Sequence, residues 1–164
     1  MRTPTCCLGL LLLVALSGCL PDQAPPFPEL AGRWYGEALE RNAKPGAVPC
    51  VDAYVQFKKD GFHVTGMFPA TANRVMPSSY EKRGPDVVLK SAVLTTRARY
   101  AAYIRVGGDR MWVTDVEVNR EDLTTAMVQQ VAAGRAMTQA QAIDLTQRTL
   151  RRDVERAFDL KRCA

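Results

Sequence analysis

Val51-Asp-Ala-Tyr-Val-Gln-Phe-Lys-Lys-Asp-Gly-Phe-His-Val-Thr-Gly-Met-Phe68 is the stretch that decides the fold class. Its first half alternates, placing Val51, Ala53, Val55 and Phe57 on one face. Its second half returns with Phe62, Val64 and Phe68 on one face. A period of two is the spacing of side chains along a strand that buries one side. Asp60-Gly61 stands between the halves, and such a pair favours a tight type I′ turn because positive φ is needed at both central positions. The stretch predicts an antiparallel hairpin.

The same reading extends in both directions. Upstream, Gly32-Arg-Trp-Tyr-Gly-Glu-Ala-Leu39 is an aromatic-rich strand candidate. Downstream, 69–85 is rich in breakers and reads as a long connection, followed by strands over 87–95, 99–106 and 110–119. Gly107-Gly108 closes a second hairpin between the last two. In the final strand Trp112, Thr114, Val116 and Val118 are expected on one face, and Met111, Val113, Asp115 and Glu117 on the other.

Past residue 120 the apolar period lengthens to about 3.6, the repeat of an α-helix. Leu123, Ala126, Met127 and Val131 form one face, Asn119 is a cap and Gly134 a stop. Thr138-x-x-Gln141 is a capping box that opens a second helix with Ile143, Leu150, Val154 and Ala157 as its seam and Phe158 beside it. Strands followed by helices without alternation predict an α+β domain: an antiparallel meander of about six strands with two C-terminal helices packed on it.

The chain has 164 residues, 47% apolar and 24% charged, which suits one domain of ordinary size and excludes a disordered chain. Its first residues carry a different message. Arg2 precedes an apolar run over Leu8–Leu16 that is too short to span a bilayer core of roughly 30 Å, the pattern of a signal peptide. Leu16-Ser17-Gly18-Cys19 then resembles the bacterial lipobox, where the thiol after two small residues receives lipid. The resemblance implies a signal peptide over 1–18, lipidation of Cys19, a proline-rich tether over 19–29 and a periplasmic domain over 30–164. Leu20 in place of an aspartate after the cysteine points, by the enterobacterial rule, to the outer membrane. That address implies a membrane partner through the lipid and no contact with nucleic acid.

Removal of the leader and lipidation of Cys19 leave Cys50 and Cys163 of the five cysteines. In an oxidising compartment an even remainder favours a disulfide, two separate buried thiols being the alternative. The net charge of +5 suits contact with anionic envelope surfaces or simple solubility.

Gly32-Arg33-Trp34 resembles the first-strand signature of lipocalins and lipocalin-like domains, which implies an antiparallel barrel holding a small apolar ligand. An ordinary core role for Trp34 is the competing reading. Two features stand against a barrel here: about six strands are visible, and helices occupy the place of the closing strands.

His63 is the sole histidine and has no motif partners, so no metal site and no cofactor is expected. Asp115 and Glu117 share a strand face, where solvation explains them as well as acid–base work does. Ser78-Ser79 lacks a nucleophile elbow, and neither a Walker loop nor a Gly-x-Gly-x-x-Gly motif is present, so no enzyme activity is expected. Partner contact is assigned to Arg74, Met76, Tyr80, Lys82 and Arg83 in the long connection, and to Arg148 and Arg152 on the arginine-rich helix face. The alternative for that face is a solvated surface with internal ion pairs. These observations predict an outer-membrane lipoprotein that binds or supports an envelope protein or glycan. A periplasmic inhibitor or immunity-type factor and a lipocalin-like carrier are the two other readings.

Overall fold

A computed structural model of the protein describes residues 24–67, 74–92, 99–119, 121, 123, 128, 132–134 and 137–164. The leader, the lipobox with Cys19, Phe68, the first part of the 69–85 connection and most of the 120–134 helix segment lie outside the described residues.

The domain is a closed antiparallel barrel in which strands pair in chain order. The strands are β1 (Arg33–Tyr35), β2 (Tyr54–Lys58), β3 (Gly61–Thr65), β4 (Arg74–Arg83), β5 (Asp86–Ala92), β6 (Arg99–Gly107), β7 (Arg110–Val118) and β8 (Leu160–Arg162). A short helix α1 (Glu37–Arg41) follows β1, and a long helix α2 (Gln139–Ala157) precedes β8. The open six-stranded sheet with two packed helices is therefore corrected. Residues 74–83, read as a connection, are a strand, and the last residues before Cys163 form another. β8 joins β7 through Met111↔Leu160 and β1 through Trp34↔Arg162, which closes the ring.

The β2–β3 hairpin forms where expected, with its turn one residue earlier. Lys58 pairs with Gly61, so Lys59 and Asp60 make the loop. Among the described residues Cys50 is the only non-glycine with positive φ, so Asp60 does not adopt the left-handed conformation that an Asp-Gly type I′ turn needs. Gly61 has φ +148°, and a Cβ there would stand 2.2 Å from the Met76 carbonyl oxygen on β4. Glycine is required by close approach of the neighbouring strand as much as by the turn.

In β7 the face assignment changes part-way along. Ile104 pairs with Val113 and Tyr103 with Asp115, leaving Thr114 as the extra residue of a bulge. An unpaired residue shifts side-chain parity. The inward set is thus Met111 and Val113 before the bulge and Val116 and Val118 after it, all in the core or packed against it. Trp112, expected to share a face with Val116, points out and is 39% exposed. Upstream, Gly36 starts α1 where the strand was expected to continue to Leu39, and Val51 is exposed in the turn before β2.

α2 opens on the expected capping box: the Gln141 N–H donates to Thr138 Oγ1 at 3.3 Å, and the Thr138 N–H donates to Gln141 Oε1 at 2.8 Å. Its buried seam is Ala142, Thr146, Leu150 and Val154, with Ala157 exposed. Val154 and Phe158 enter the barrel core, where Phe158 meets Phe62 edge-on at 5.3 Å. The chain then turns into β8, and Cys163, just beyond it, forms a disulfide with Cys50. The Cys163 N–H donates to Arg33 O at 2.9 Å, so bridge and strand pairing hold the same seam.

One end of the barrel is plugged by a 3-10 turn over Pro28–Leu30. Leu30 is fully buried, Phe27 packs on the core, and Glu29 pairs with Lys82. These residues, read as the end of the tether and the start of the domain, are packed on the barrel. Among the described residues no helix is long and apolar enough to cross a membrane.

Candidate functional site: a cleft at the barrel rim

The plugged end and the aromatic cluster fill much of the barrel, so space for a ligand lies elsewhere. Strand pairing runs Ser78↔Ser91↔Tyr100↔Val118 in one row and Ser79↔Lys90↔Ala101↔Glu117 in the next. These two rows border a cleft of about 820 Å³, completed by Asp60, Pro77, Arg99 and Asn119. The shape follows from β4. Its first part pairs with β3 (Gly61↔Pro77) and its second with β5 (Ser78↔Ser91), so the wall divides beside Pro77. Pro77 lacks the N–H that would continue a ladder, which suits it to this position.

The inner row is neutral. Ser78 Oγ donates to Met76 O at 2.9 Å and Ser91 Oγ to Pro77 O at 3.2 Å. Burial pushes the Tyr100 hydroxyl up to about 12, opposed by its hydrogen bond with Ser91, so it stays protonated at physiological pH. One row deeper, Tyr80 faces the same interior opposite Leu89. Its hydroxyl is buried with no hydrogen-bond partner. Burial drives its pKa well above the ordinary range, and the neighbouring Asp60 and Tyr100 add to the rise.

Charge is carried by the outer row, by Asp60 in the turn and by Arg99, exposed at the start of β6. Lys90 pairs with Glu81 at 2.8 Å, and Tyr103 Oη donates to Glu117 Oε1 at 2.6 Å. Glu81 is held at about 2 by its bonds to Lys90 and Arg83. Asp60 lies 2.9 Å from His63 Nε2, and that hydrogen bond lowers its pKa, so it is a carboxylate at neutral pH.

The expected partner residues do not form one patch. Arg74 is exposed at the start of β4, Met76 packs inward opposite Phe62, and Tyr80 points into the barrel. Lys82 binds Glu29 at the plugged end, while Arg83 holds Glu81 and the Tyr103 hydroxyl on the outer wall. Arg148 pairs with Asp144 at 3.0 Å and Arg152 with Asp153 at 3.8 Å on the exposed face of α2. The two carboxylates of β7 have separate partners, Asp115 with Arg151 at 2.8 Å and Glu117 with Tyr103. No group of three or more potential metal ligands occurs among the described residues.

Sequence reasoning missed Ser91, Tyr100 and Asn119 because each stands alone in an otherwise ordinary strand pattern. The rows become visible only when register aligns them. One signal was available: serine or tyrosine at inward positions near the ends of three strands marks a place where the core gives way to polar lining.

No known protein family, curated protein or solved structure matches the chain. The architecture itself is lipocalin-like: a closed barrel of eight antiparallel strands, as the resemblance at Gly32-Arg33-Trp34 implied. Trp34 is fully buried and donates from Nε1 to Leu30 O at 3.1 Å. The Arg162 guanidinium lies over its ring, 4.6 Å from the centroid, and donates to Glu29 O at 2.8 Å.

Proposed function

We propose that the chain is an exported lipoprotein, anchored in the outer membrane through Cys19, whose barrel carries a small amphiphilic molecule in the rim cleft. The observation that carries the binding role is the cleft of about 820 Å³ at the unplugged side of the barrel. Small-molecule sites span roughly 300–1,000 Å³ and combine apolar lining with a few convergent polar groups. Pro77, Ala101 and Val118 supply apolar surface, and Ser78, Ser91, Tyr100 and Asn119 supply hydrogen-bonding groups. The anchoring role rests on the lipobox, and the mature domain would work in the periplasm.

This replaces a general scaffold role as the leading reading because the residues assigned to a partner surface are dispersed, whereas the cleft residues converge. The test is uptake of N-phenylnaphthylamine, a neutral fluorophore that brightens in apolar surroundings. The full chain carrying Cys19→Ser, which has no lipid of its own, should bind it saturably, and monooleoylglycerol or oleic acid should displace it. Absence of saturable uptake removes the carrier reading.

A further inference from the structure

The Tyr80 hydroxyl is an anomaly in an otherwise satisfied interior. Buried polar atoms nearly always have partners, and one without costs stability. Among the described residues only this atom and Arg162 Nε are buried side-chain polar atoms with none. Arg162 still donates through Nη2 to Glu29 O, so its side chain is engaged. Tyr80 has no such second contact, since a phenol has a single polar atom.

Its placement suggests what the atom is for. Tyr80 is two residues beyond Ser78 on β4 and faces the same interior, directly below the neutral row Ser78, Ser91 and Tyr100 that edges the cleft. Asp60 and Tyr100, both lining the cleft, are near enough to act electrostatically on its hydroxyl. The rest of its own row, Leu89, Ala102 and Val116, is apolar and buried. A polar group that reaches this depth from the rim would meet the Ser78, Ser91, Tyr100 and Tyr80 hydroxyls, with the Asp60 carboxylate nearby.

We infer that the cleft selects an uncharged polar headgroup, an ester or alcohol, that hydrogen-bonds the Tyr80 hydroxyl, and that it discriminates against an anionic headgroup. The inference rests on the carrier reading above and specifies its ligand class. Two observations disfavour a carboxylate head at Tyr80. The Asp60 carboxylate beside Tyr80 repels an anion at short range. Of the two cleft-lining cations, Lys90 is turned outward and paired with Glu81, and Arg99 is exposed at the start of β6. A neutral ester carbonyl accepts from Tyr80 without bringing charge to a place of low dielectric.

The unsatisfied hydroxyl gives this inference a signature with two opposite signs. Tyr80→Phe removes the unpaired atom and keeps the ring, so the empty protein should melt a few degrees higher, about 2–5 °C. The same substitution should weaken monooleoylglycerol about tenfold, because the ligand loses its partner. Competition against N-phenylnaphthylamine reads both ligands in the full chain carrying Cys19→Ser. Monooleoylglycerol should displace the probe at concentrations at least tenfold below oleic acid, and Tyr80→Phe, with probe affinity measured separately for each form, should reduce that preference. If the probe binds but oleic acid competes equally well or better, or Tyr80→Phe leaves the ester's affinity intact, headgroup selection by Tyr80 is wrong while the carrier reading stands. If no probe enters, the carrier reading falls and this inference with it.

Discussion

Arg162 and Asp86 show how single side chains hold a closed barrel together. Arg162 stacks on the buried Trp34 ring and donates to Glu29 O, joining the closing strand to the plug in one residue. Arg162→Ala should lower unfolding free energy by about 2–4 kcal/mol in urea titration, from the lost cation–π contact and a charged hydrogen bond. Arg162→Lys should recover part of this, since an ammonium stacks and donates but has no planar fork. Asp86 accepts from Arg105 Nε at 2.7 Å and Nη2 at 3.1 Å, and Thr114 Oγ1 of the bulge is 3.2 Å away. The Arg105 bond lowers the Asp86 pKa below its ordinary value. A carboxylate with a depressed folded-state value stabilises the fold above its unfolded value and loses that contribution as pH falls through the folded one. Asp86→Asn should therefore be less stable than the parent at neutral pH, and the gap should close as pH drops below the ordinary carboxylate range. A gap independent of pH between neutrality and strong acid would contradict the charge argument.

At the scale of elements, legibility follows from how each strand is paired and covered. β2, β6 and β7 announce themselves through alternation, because each buries one face in the barrel and leaves the other more open, whereas β5 reads as a strand through its continuous buried apolar run, Val87–Leu89. β4 does not. Pro77, paired serines and five charged or polar residues make Arg74–Arg83 look like a connection, yet Pro77, Ser78 and Ser79 line the cleft, and Met76 and Tyr80 face the interior on either side of Ser78. Polarity that served the site hid the strand. β8 is invisible for a different reason: three residues directly after a helix carry no period, and only pairing with β1 and β7 defines them. The cysteine arithmetic nonetheless indicated its neighbourhood, since Cys163 had to reach Cys50. That bridge spans 113 residues of sequence, and in the chain-entropy model, which is disputed, closing so long a loop contributes about 4–5 kcal/mol. Replacing both cysteines with serine should reduce stability by roughly 2–5 kcal/mol. Amide exchange should accelerate first at the β1–β8–β7 seam, because each side of β8 is paired at two positions only.

For the whole molecule, the segment proposed as the tether and the cleft proposed for binding meet different sides of the barrel. The proposed tether would join the barrel at the plugged end, where Phe27 and Leu30 pack on the core and Glu29 meets Lys82. The cleft opens where β5 and β7 end and β6 begins, on the unplugged side. With Cys19 lipidated, as proposed, the proline-rich leash of about 3 Å per residue would hold the closed end toward the bilayer and leave the cleft facing the periplasm. Mooring and ligand uptake should then be separable. Cys19→Ser should move the protein from the membrane fraction to the soluble periplasmic fraction, since no acyl chains remain to hold it. Its affinity for N-phenylnaphthylamine should stay within twofold of the lipidated form, because no cleft residue precedes Asp60. Mass spectrometry of the native amino terminus checks the first half directly: an acylated Cys19 is expected, and an unmodified terminus would mean the barrel reaches its ligand without a membrane tether.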